Sequence, residues 1–367
     1  MRDKSHQPSG EYEGSIIVKP ANSYQTELKV KLHVWNITLP NRIQYPTCVW
    51  TTQHNLSPHE YRNLLALFLE HHIDPISVGN DFNFNLLDEN MEFCLKKGLM
   101  VFETPKIEDL HKFNEYYKHI KEKGWLDKAM VYSPKDEPTE ETFRNIIIPH
   151  TTIGHKKFPC LKTFLATQYY NNLDKGTDIW LYDVSTNFKS WIKSGCPGKQ
   201  ENWWYFCALP INVSMERPLA DAPLMLIDRD AIEQRIVYWM AYYYKIKGIF
   251  IYAGNIAGWP NEVYELTNSK MPYPYAGITN GNGFLAYPPS KSSIRLKIIR
   301  DGIEDYWYIK KVADLAASGF HRKEAQNLIA DIVLAIFVNT HYFNNDPESL
   351  LTYRKKFGEF LNGKIAY

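Results

Sequence analysis

After Pro40 the chain repeats one pattern, a short apolar run followed by a longer amphipathic stretch. This alternation predicts repeated βα units, in which parallel strands are covered by crossover helices. About eight strands are predicted, which is the number that closes a (β/α)₈ barrel. The predicted strands are Tyr45 to Trp50, Pro75 to Gly79, Leu99 to Phe102, Ala129 to Ser133, Lys162 to Ala166, Ile179 to Asp183, Trp203 to Ala208 and Gly248 to Tyr252. The pattern therefore predicts an α/β protein built as a (β/α)₈ TIM barrel.

The segments on either side of this repeat have a different character. Apolar and polar residues alternate from Ser15 to Thr38, which is typical of a pair of strands. Two further helices are predicted near the end, over Arg322 to Val338 and Pro347 to Leu361. We therefore expect an N-terminal β segment over residues 1–40, the barrel over residues 41–318 and a C-terminal helical extension over residues 319–367.

Helix starts are recognisable between the predicted strands. Ser57 precedes Pro58 and Glu60, which together supply an N-cap, a proline in the first turn and an early acid. Thr139 opens another helix directly after a pair of acids, and Asp228 to Tyr244 is predicted to form a longer one. These helix starts agree with the predicted alternation of strands and helices.

The charges of the 367-residue chain nearly cancel, with 42 Lys and Arg against 41 Asp and Glu. No overall field draws such a protein to polyanions, so we expect no nucleic-acid partner, no membrane partner and a neutral substrate. The 25 Tyr, 18 Phe and 10 Trp are more than core packing alone explains. Aromatic rings with polar tips also suit the faces of sugars.

The termini and the cysteines add weaker expectations. Met1 to Gly14 is polar and lacks the apolar centre of a signal peptide, so the sequence as written predicts a cytoplasmic protein. It would be periplasmic or secreted if a leader has been removed. The five cysteines are odd in number and lack metal-binding spacing, so we expect buried free thiols, no metal and no cofactor.

Barrel enzymes carry their reacting groups at the C-terminal ends of the strands, so the residues that close each apolar run are the candidates for a site. The strand ends supply Thr51 and His54, Asn80 and Asp81, Glu103, Asp136 and Glu137, Gln168 and Tyr169, Asp183, Trp203 to Tyr205, and Tyr252 with Asn255.

Asp136 and Glu137 stand out among these because two adjacent acids follow the fourth predicted strand and precede Pro138. Proline restricts the residue before it, so we expect extended geometry at Glu137. Two carboxylates in one partly dry site cannot both ionise easily, so one pKa should rise and that group could act as a general acid. The alternative is that the pair is only a solvated helix N-terminus favoured by the helix dipole.

The sequence resembles glycoside hydrolase family 123, whose characterised members are retaining β-N-acetylgalactosaminidases. The likeness runs from about Lys29 to about Val312 and is most specific in the second half. The matching residues there are Trp203 to Cys207, Arg235 and Trp239, Gly248 to Tyr252, Gly281 to Pro288, Ile294 to Leu296 and Arg300 to Tyr306. In that family an adjacent Asp-Glu pair ends the fourth strand, where this chain has Asp136 and Glu137.

The resemblance implies substrate-assisted removal of a terminal β-linked N-acetylhexosamine, with N-acetylgalactosamine expected, through an oxazolinium-like intermediate. Asp136 would orient the acetamido group, and Glu137 would act as acid and then base. A glycan or glycoconjugate with terminal N-acetylhexosamine is the implied partner. The predicted substrate-binding residues are Gln168, Tyr169, Asp183, Trp203, Trp204, Tyr205, Tyr252 and Asn255.

Three departures from the family pattern leave alternatives open. Ala253 follows Tyr252 where the family commonly has Trp, and Asn282 replaces an acid between two glycines. The family's N-terminal β-sandwich would be present only as a remnant in residues 1–40. A glycan-binding pseudoenzyme of the same fold and a glycosidase with another sugar specificity are therefore the competing hypotheses.

Overall fold

The computed structural model of the chain describes residues 7–167, 176–184, 201–207, 222–227, 229–256, 259 and 281–365. In chain order its strands are β1 Gly10–Val18, β2 Thr26–Val34, β3 Thr47–Val49, β4 Asp74–Pro75, β5 Phe102–Glu103, β6 Ala129–Tyr132, β7 Lys162–Ala166, β8 Ile179–Asp183, β9 Glu201–Phe206, β10 Gly248–Ile251, β11 Ala286–Tyr287, β12 Lys291–Ser292, β13 Phe337–Asn339 and β14 Tyr342–Phe343.

Eight of these strands form one parallel sheet in the order β4-β3-β10-β9-β8-β7-β6-β5. The sheet curls into a nearly closed barrel with helices around it, which confirms the predicted (β/α)₈ fold. The first and last strands of the chain's repeat, β3 and β10, are neighbours, as barrel closure requires. Each of the eight lies at or within a few residues of its predicted position.

Aromatic rings fill the interior of the barrel towards its C-terminal end. The centroid of the Trp50 indole lies 4.4 Å from that of Phe250 and 5.7 Å from that of Tyr132. Phe164 lies 4.9 Å from Tyr132 and 5.9 Å from Phe250. Several of these contacts are edge-to-face, an arrangement that aromatic quadrupoles favour. The barrel is therefore a packed core with a mouth above it.

The seam of the barrel lies between β4 and β5, the two ends of the sheet order. A 3₁₀ helix, Ile76–Gly79, fills this seam directly after β4. A Cβ on Gly79 would come within 2.1 Å of the Phe102 ring and 2.7 Å of the Glu103 carbonyl oxygen, so only glycine fits there. Gly79 thus lets the chain pass close to the end of β5.

Helices cover the outside of the barrel. The N-cap predicted at Ser57 is confirmed. It is part of a capping box, since the Ser57 hydroxyl accepts from the Glu60 N–H while the Glu60 carboxylate accepts from the Ser57 N–H. The π-helix Phe143–Ile147 joins the α-helices Glu140–Thr142 and Ile148–Lys157, and the 3₁₀ helix Leu126–Lys128 precedes β6. The α-helices of the described residues are Pro58–Leu69, Phe84–Lys96, Leu110–Glu122, Glu140–Thr142, Ile148–Lys157, Ala231–Tyr243, Ile294–Ala317, Arg322–Ile336 and Pro347–Ile365.

The most specific family-like residues of the second half join helices to one another. Asp305 is fully buried, and its two oxygens accept from Arg235 at 2.6 and 3.0 Å and from the Trp239 indole at 2.9 Å. Arg354, in the C-terminal helix, approaches the same carboxylate at 2.6 Å. Asp305 thus joins three helices. The helix that holds it begins at Ile294 with the Ser293 cap.

Arg295 explains the glycine turn of the same region. Its guanidinium donates to the carbonyl oxygens of Gly281, Phe284 and Met225 at 2.6 to 3.0 Å. A Cβ on Gly281 would lie 2.7 Å from that guanidinium, and the positive φ of Gly281 also favours glycine. The turn is therefore a packing device in which Arg295 satisfies backbone carbonyls.

The N-terminal strand pair is confirmed as an antiparallel hairpin of β1 and β2, and helices occur at both predicted C-terminal positions. One face of the hairpin is apolar, with Ile16 opposite Leu28, and the other carries the ion pair of Lys31 with Glu13. The division into three segments at residues 40 and 318 stays a prediction.

The cysteines within the described residues are not joined in disulfides. Cys48 and Cys94 are buried and Cys207 is half-buried, but Cys160 is exposed, so the prediction of a buried thiol is wrong at that position. Cys160 lies in the turn that leads into β7, where its backbone has a positive φ and faces solvent. Cys196 falls outside the described residues.

Candidate active site

Asp136 and Glu137 lie at the C-terminal mouth of the barrel, just beyond β6. The Ser133 N–H donates to Phe164 O at 3.0 Å and the Glu137 N–H donates to Ala166 O at 3.2 Å, so the connecting loop remains tied to β7. Glu137 has φ +40°, in the left-handed region, rather than the extended geometry expected before Pro138. The tie to Ala166 and the turn into the helix impose this conformation, which strains a residue with a Cβ.

Tyr132 holds the side chain of Asp136. The Tyr132 hydroxyl donates to Asp136 Oδ1 and accepts from the Ala166 N–H at 3.2 Å. Burial and the Asp136 charge raise the pKa of Tyr132, so its hydroxyl keeps the proton that it donates. The Asp136 carboxylate is therefore oriented by a fixed donor from the barrel interior.

The electrostatics of Glu137 agree with the expectation that one carboxyl of the pair gains affinity for a proton. Burial, then the neighbouring charges of Asp136 and Asp183, raise the pKa of Glu137. Asp183 is the last residue of β8 and half-buried at the mouth. The arrangement gives one of the two adjacent acids the character of a proton donor.

A cavity of about 580 Å³ opens beside Asp136, on the side of the mouth that includes the seam. This volume lies within the usual range for small-molecule sites. The cavity is lined from β3 by Trp50 to Gln53, from β4 and its 3₁₀ helix by Ser77, Val78, Asn80 and Asp81, from β5 by Glu103 and Lys106, and from β6 by Tyr132 and Asp136, together with Tyr61, Leu86, Leu87, Asn90 and Ile256.

Three of the predicted substrate-binding residues lie at or near the mouth. The charge of Asp183 contributes to the raised pKa of Glu137. Tyr205 is the last residue but one of β9, and its pKa is raised by burial and by groups that include Tyr132 and Asp136. Tyr252 is half-buried, with its ring centroid 6.1 Å from that of Trp50. These three side chains remain candidates for contacts with a substrate.

The two tryptophans of the same strand lie elsewhere because residues alternate across a strand. Trp203 points into the lower barrel, where its indole N–H donates to Glu201 at 3.4 Å and its ring occupies the space beside Gly248. Trp204 turns outward, and its ring lies 6.1 Å from that of Tyr244 at the end of a covering helix. Neither indole reaches the mouth, so we leave both out of the proposed site.

Asn255 is fully buried and clamps two loops together. Its Oδ1 accepts from Thr52 N–H at 2.9 Å and its Nδ2 donates to Thr52 O at 2.7 Å. Both ends of the amide are thus used by the backbone, so we assign Asn255 a positioning role rather than a sugar contact. Gln168 and Tyr169 lie outside the described residues.

Several residues that line the cavity were assigned no function by the sequence. Glu103 was recognised only as a strand end, and Trp50, Lys106 and Tyr132 were not singled out as site residues. The rule that strand ends carry function could have found Trp50 and Glu103. Tyr132 has the weaker signal of standing four residues before Asp136 in the same run.

Among the described residues, no group of three His, Cys, Asp or Glu side chains is arranged to hold a metal ion. Over the same ranges, each helix is too short or too polar to cross a membrane.

A parallel barrel with two adjacent carboxyl groups at its mouth, one of which lines a cavity, is typical of (β/α)₈ glycoside hydrolases, the class that this fold and site define. The catalytic-domain model of glycoside hydrolase 123 matches residues 108–312. The match spans more than half of the chain, and the chain belongs to glycoside hydrolase family 123. No curated protein matches it.

One solved structure supports the fold. The chain is similar to a family 123 glycoside hydrolase from Clostridium perfringens, described for glycolipid glycan hydrolysis, with a TM-score of 0.60 and 14% identity over 97% of this chain and 76% of that one. A family 39 glycoside hydrolase from Bacteroides cellulosilyticus WH2 gives a TM-score of 0.43 and 10% identity over 80% of this chain and 70% of that one.

Proposed function

We propose that this glycoside hydrolase removes terminal β-linked N-acetylhexosamine with retention of configuration, by substrate-assisted catalysis. The observation that carries the proposal is the acid pair, in which Tyr132 orients Asp136 while burial and neighbouring charges raise the pKa of Glu137. One group suited to orienting an amide thus stands directly beside one suited to giving a proton.

In the proposed reaction Glu137 gives its proton to the glycosidic oxygen while the acetamido oxygen of the sugar attacks C1. The bond from C1 to the leaving oxygen breaks, and an oxazolinium-like intermediate forms. Asp136 accepts a hydrogen bond from the acetamido N–H and stabilises the positive charge. Glu137 then takes a proton from water as that water attacks C1, and the bond from C1 to the acetamido oxygen breaks, which restores the acetamido group. Two inversions at C1 give net retention.

For the substrate we propose a glycan or glycoconjugate that ends in N-acetylgalactosamine. The assignment is supported by the family to which the chain belongs and by analogy with the glycolipid glycan hydrolysis described for the Clostridium perfringens enzyme. Asp183, Tyr205 and Tyr252 are the proposed contacts on the β8 to β10 side of the mouth.

The decisive variant is Glu137→Gln, which keeps the shape of the side chain but removes the transferable proton. We expect kcat on an alkyl N-acetyl-β-galactosaminide to fall by about 10²- to 10⁴-fold. The loss should be smaller on a nitrophenyl glycoside, whose leaving group needs less protonation. Glu141→Gln, an exposed glutamate in the following helix, is the matched control and should leave kcat unchanged.

Two further measurements test the role of the acetamido group. The enzyme should not hydrolyse galactosides that lack it, and a thiazoline analogue of the intermediate should inhibit competitively. Equal turnover of both substrate classes would rule out the mechanism. Calorimetric binding of N-acetylhexosamines without release of product from any of their glycosides would instead favour the glycan-binding pseudoenzyme, the alternative suggested by Ala253.

A further inference from the structure

Glu103 forms the part of the cavity wall that lies at the seam. It ends β5 and is only 4% exposed, yet its side chain lines the cavity together with Asn80, Asp81 and Lys106. Its Oε2 accepts a hydrogen bond from the Trp50 indole N–H at 2.7 Å. A buried carboxyl that reaches a cavity, and that a rigid ring holds in one position, is a fixed polar contact for whatever enters.

The backbone around Glu103 is fixed as well. The next residue, Thr104, donates its N–H to Met130 O at 2.9 Å, which extends the pairing of β5 with β6. On the other side Gly79 passes so close to the Glu103 carbonyl that no side chain would fit between them. The backbone of Glu103 therefore cannot move away from the cavity without moving both neighbouring elements, and the Trp50 hydrogen bond holds its side chain.

The charges of the cavity wall select against anionic ligands. Asp81, Glu103 and Asp136 line it together with one cation, Lys106, among the described lining residues. Burial raises the pKa of Glu103 to about 7, against the opposing effects of the Trp50 hydrogen bond and the Lys106 charge. Near neutral pH this carboxyl can both donate and accept hydrogen bonds. Such behaviour suits a sugar hydroxyl, which does both as well.

The position of Glu103 relative to the acid pair indicates which hydroxyl it meets. In the proposed mechanism Asp136 engages the substituent on C2 and Glu137 the oxygen on C1, and C4 lies across a pyranose ring from C1. The cavity extends from Asp136 to Glu103. We propose that Glu103, held by Trp50, binds the C4 hydroxyl of the terminal sugar and so determines whether the galacto or the gluco epimer is accepted. This inference rests on the proposed function for the orientation of the sugar.

The test measures binding, so that it does not depend on turnover. N-Acetylgalactosamine and its 4-deoxy analogue are titrated by calorimetry into the wild-type protein, Glu103→Ala and Glu103→Gln. A hydrogen bond to an ionisable partner predicts that the 4-deoxy sugar binds the wild type about 10- to 100-fold more weakly. The ratio should fall to about one in Glu103→Ala, since that variant lacks the group that distinguishes the two sugars.

Glu108→Ala provides the matched control, because Glu108 is an exposed glutamate five residues further along the same loop. Its ratio of affinities should equal that of the wild type. Glu103→Gln keeps the shape of the side chain and an acceptor for the Trp50 N–H, so it carries the test if the alanine variant does not fold. In the glutamine variant the ratio of the two sugar affinities should shrink. Each polar atom of an amide either donates or accepts, whereas a carboxyl oxygen can do both.

The outcomes separate this inference from the proposed function. A ratio that stays at the wild-type value in both Glu103 variants overturns the inference, even if the enzyme hydrolyses N-acetylhexosaminides. Sugar binding with the expected ratios but without hydrolysis sustains the inference and overturns the proposed reaction. Failure of the wild type to bind either sugar at concentrations up to about 50 mM overturns the inference.

Discussion

The two halves of the barrel differ in what their recognisable residues do. The second half carries the most specific family-like residues, and several of them serve packing. Asp305 joins three helices, and Arg295 donates hydrogen bonds to backbone carbonyls of the glycine turn. The first half, from Trp50 to Lys106, precedes the region matched by the family model and supplies most of the cavity wall. The residues that make the family recognisable thus largely stabilise the barrel, whereas most of the cavity wall lies outside the matched region.

The largest effect is expected from Asp305→Ala in the packing half. The change leaves Arg235 and Arg354 without their buried carboxylate, which typically costs about 3–5 kcal/mol of unfolding free energy. Denaturant unfolding measures this loss. Asp314→Ala, on the exposed face of the same helix, should change stability by less than about 0.5 kcal/mol. If the two variants were equally stable, Asp305 would not have the packing role that we assign to it.

The opposite profile is expected from Asp136→Asn. The variant should unfold like the wild type, because Asp136 is exposed, but kcat should fall by about 10²- to 10³-fold through loss of charge stabilisation at the intermediate. Asp136 is also one of the charges that raise the pKa of Glu137. Its removal lowers that pKa, so the alkaline limb of the kcat/KM profile should move to lower pH. Asp127→Asn, an exposed control, should alter neither quantity.

These opposite profiles indicate what sequence can and cannot predict. Apolar runs predicted the positions of the eight strands well, because barrel strands are buried and must therefore be apolar. The direction of a side chain depends on the register, so Trp203, Trp204 and Tyr205 point to three different environments although they are adjacent. The use of Asn255 by the Thr52 backbone depends on how two distant loops meet.

The same limit applies to the first half of the barrel. Glu103 was visible as a strand end, but its burial and its bond to Trp50 arise from a seam that no local pattern encodes. The conformation of Glu137 is a related case, since the tertiary tie to Ala166 overrides the local preference imposed by Pro138. Sequence therefore predicted the barrel and the place of the acid pair at its mouth, but not the residues of the cavity wall.

A smaller effect, dependent on pH, is expected from Glu103→Gln. The folded protein holds the Glu103 proton up to about pH 7, whereas the unfolded chain loses it near the ordinary value of 4.5. The native state thus binds more protons between these values, and wild-type stability falls as pH rises through this window, by roughly 3 kcal/mol from this group. The glutamine variant lacks this term, so its stability relative to wild type should rise from pH 4.5 to pH 8. A constant difference across that range would contradict the burial of an ionisable Glu103, and Glu108→Gln supplies the flat reference.

The smallest effect, and the one that links the two properties, is expected from Tyr132→Phe. The ring still packs against Trp50 and Phe164, but Asp136 loses its donor and the Ala166 N–H loses its acceptor. A hydrogen bond to a charged group is worth about 1.5–3 kcal/mol, so we expect a fall in kcat of about tenfold or more. KM should change less, because the interaction orients Asp136 towards the charge that develops during reaction. Stability should fall by about 1 kcal/mol because a buried N–H is left unpaired. A variant that lost stability but kept kcat would show that Tyr132 serves packing, as Asp305 and Arg295 do in the second half.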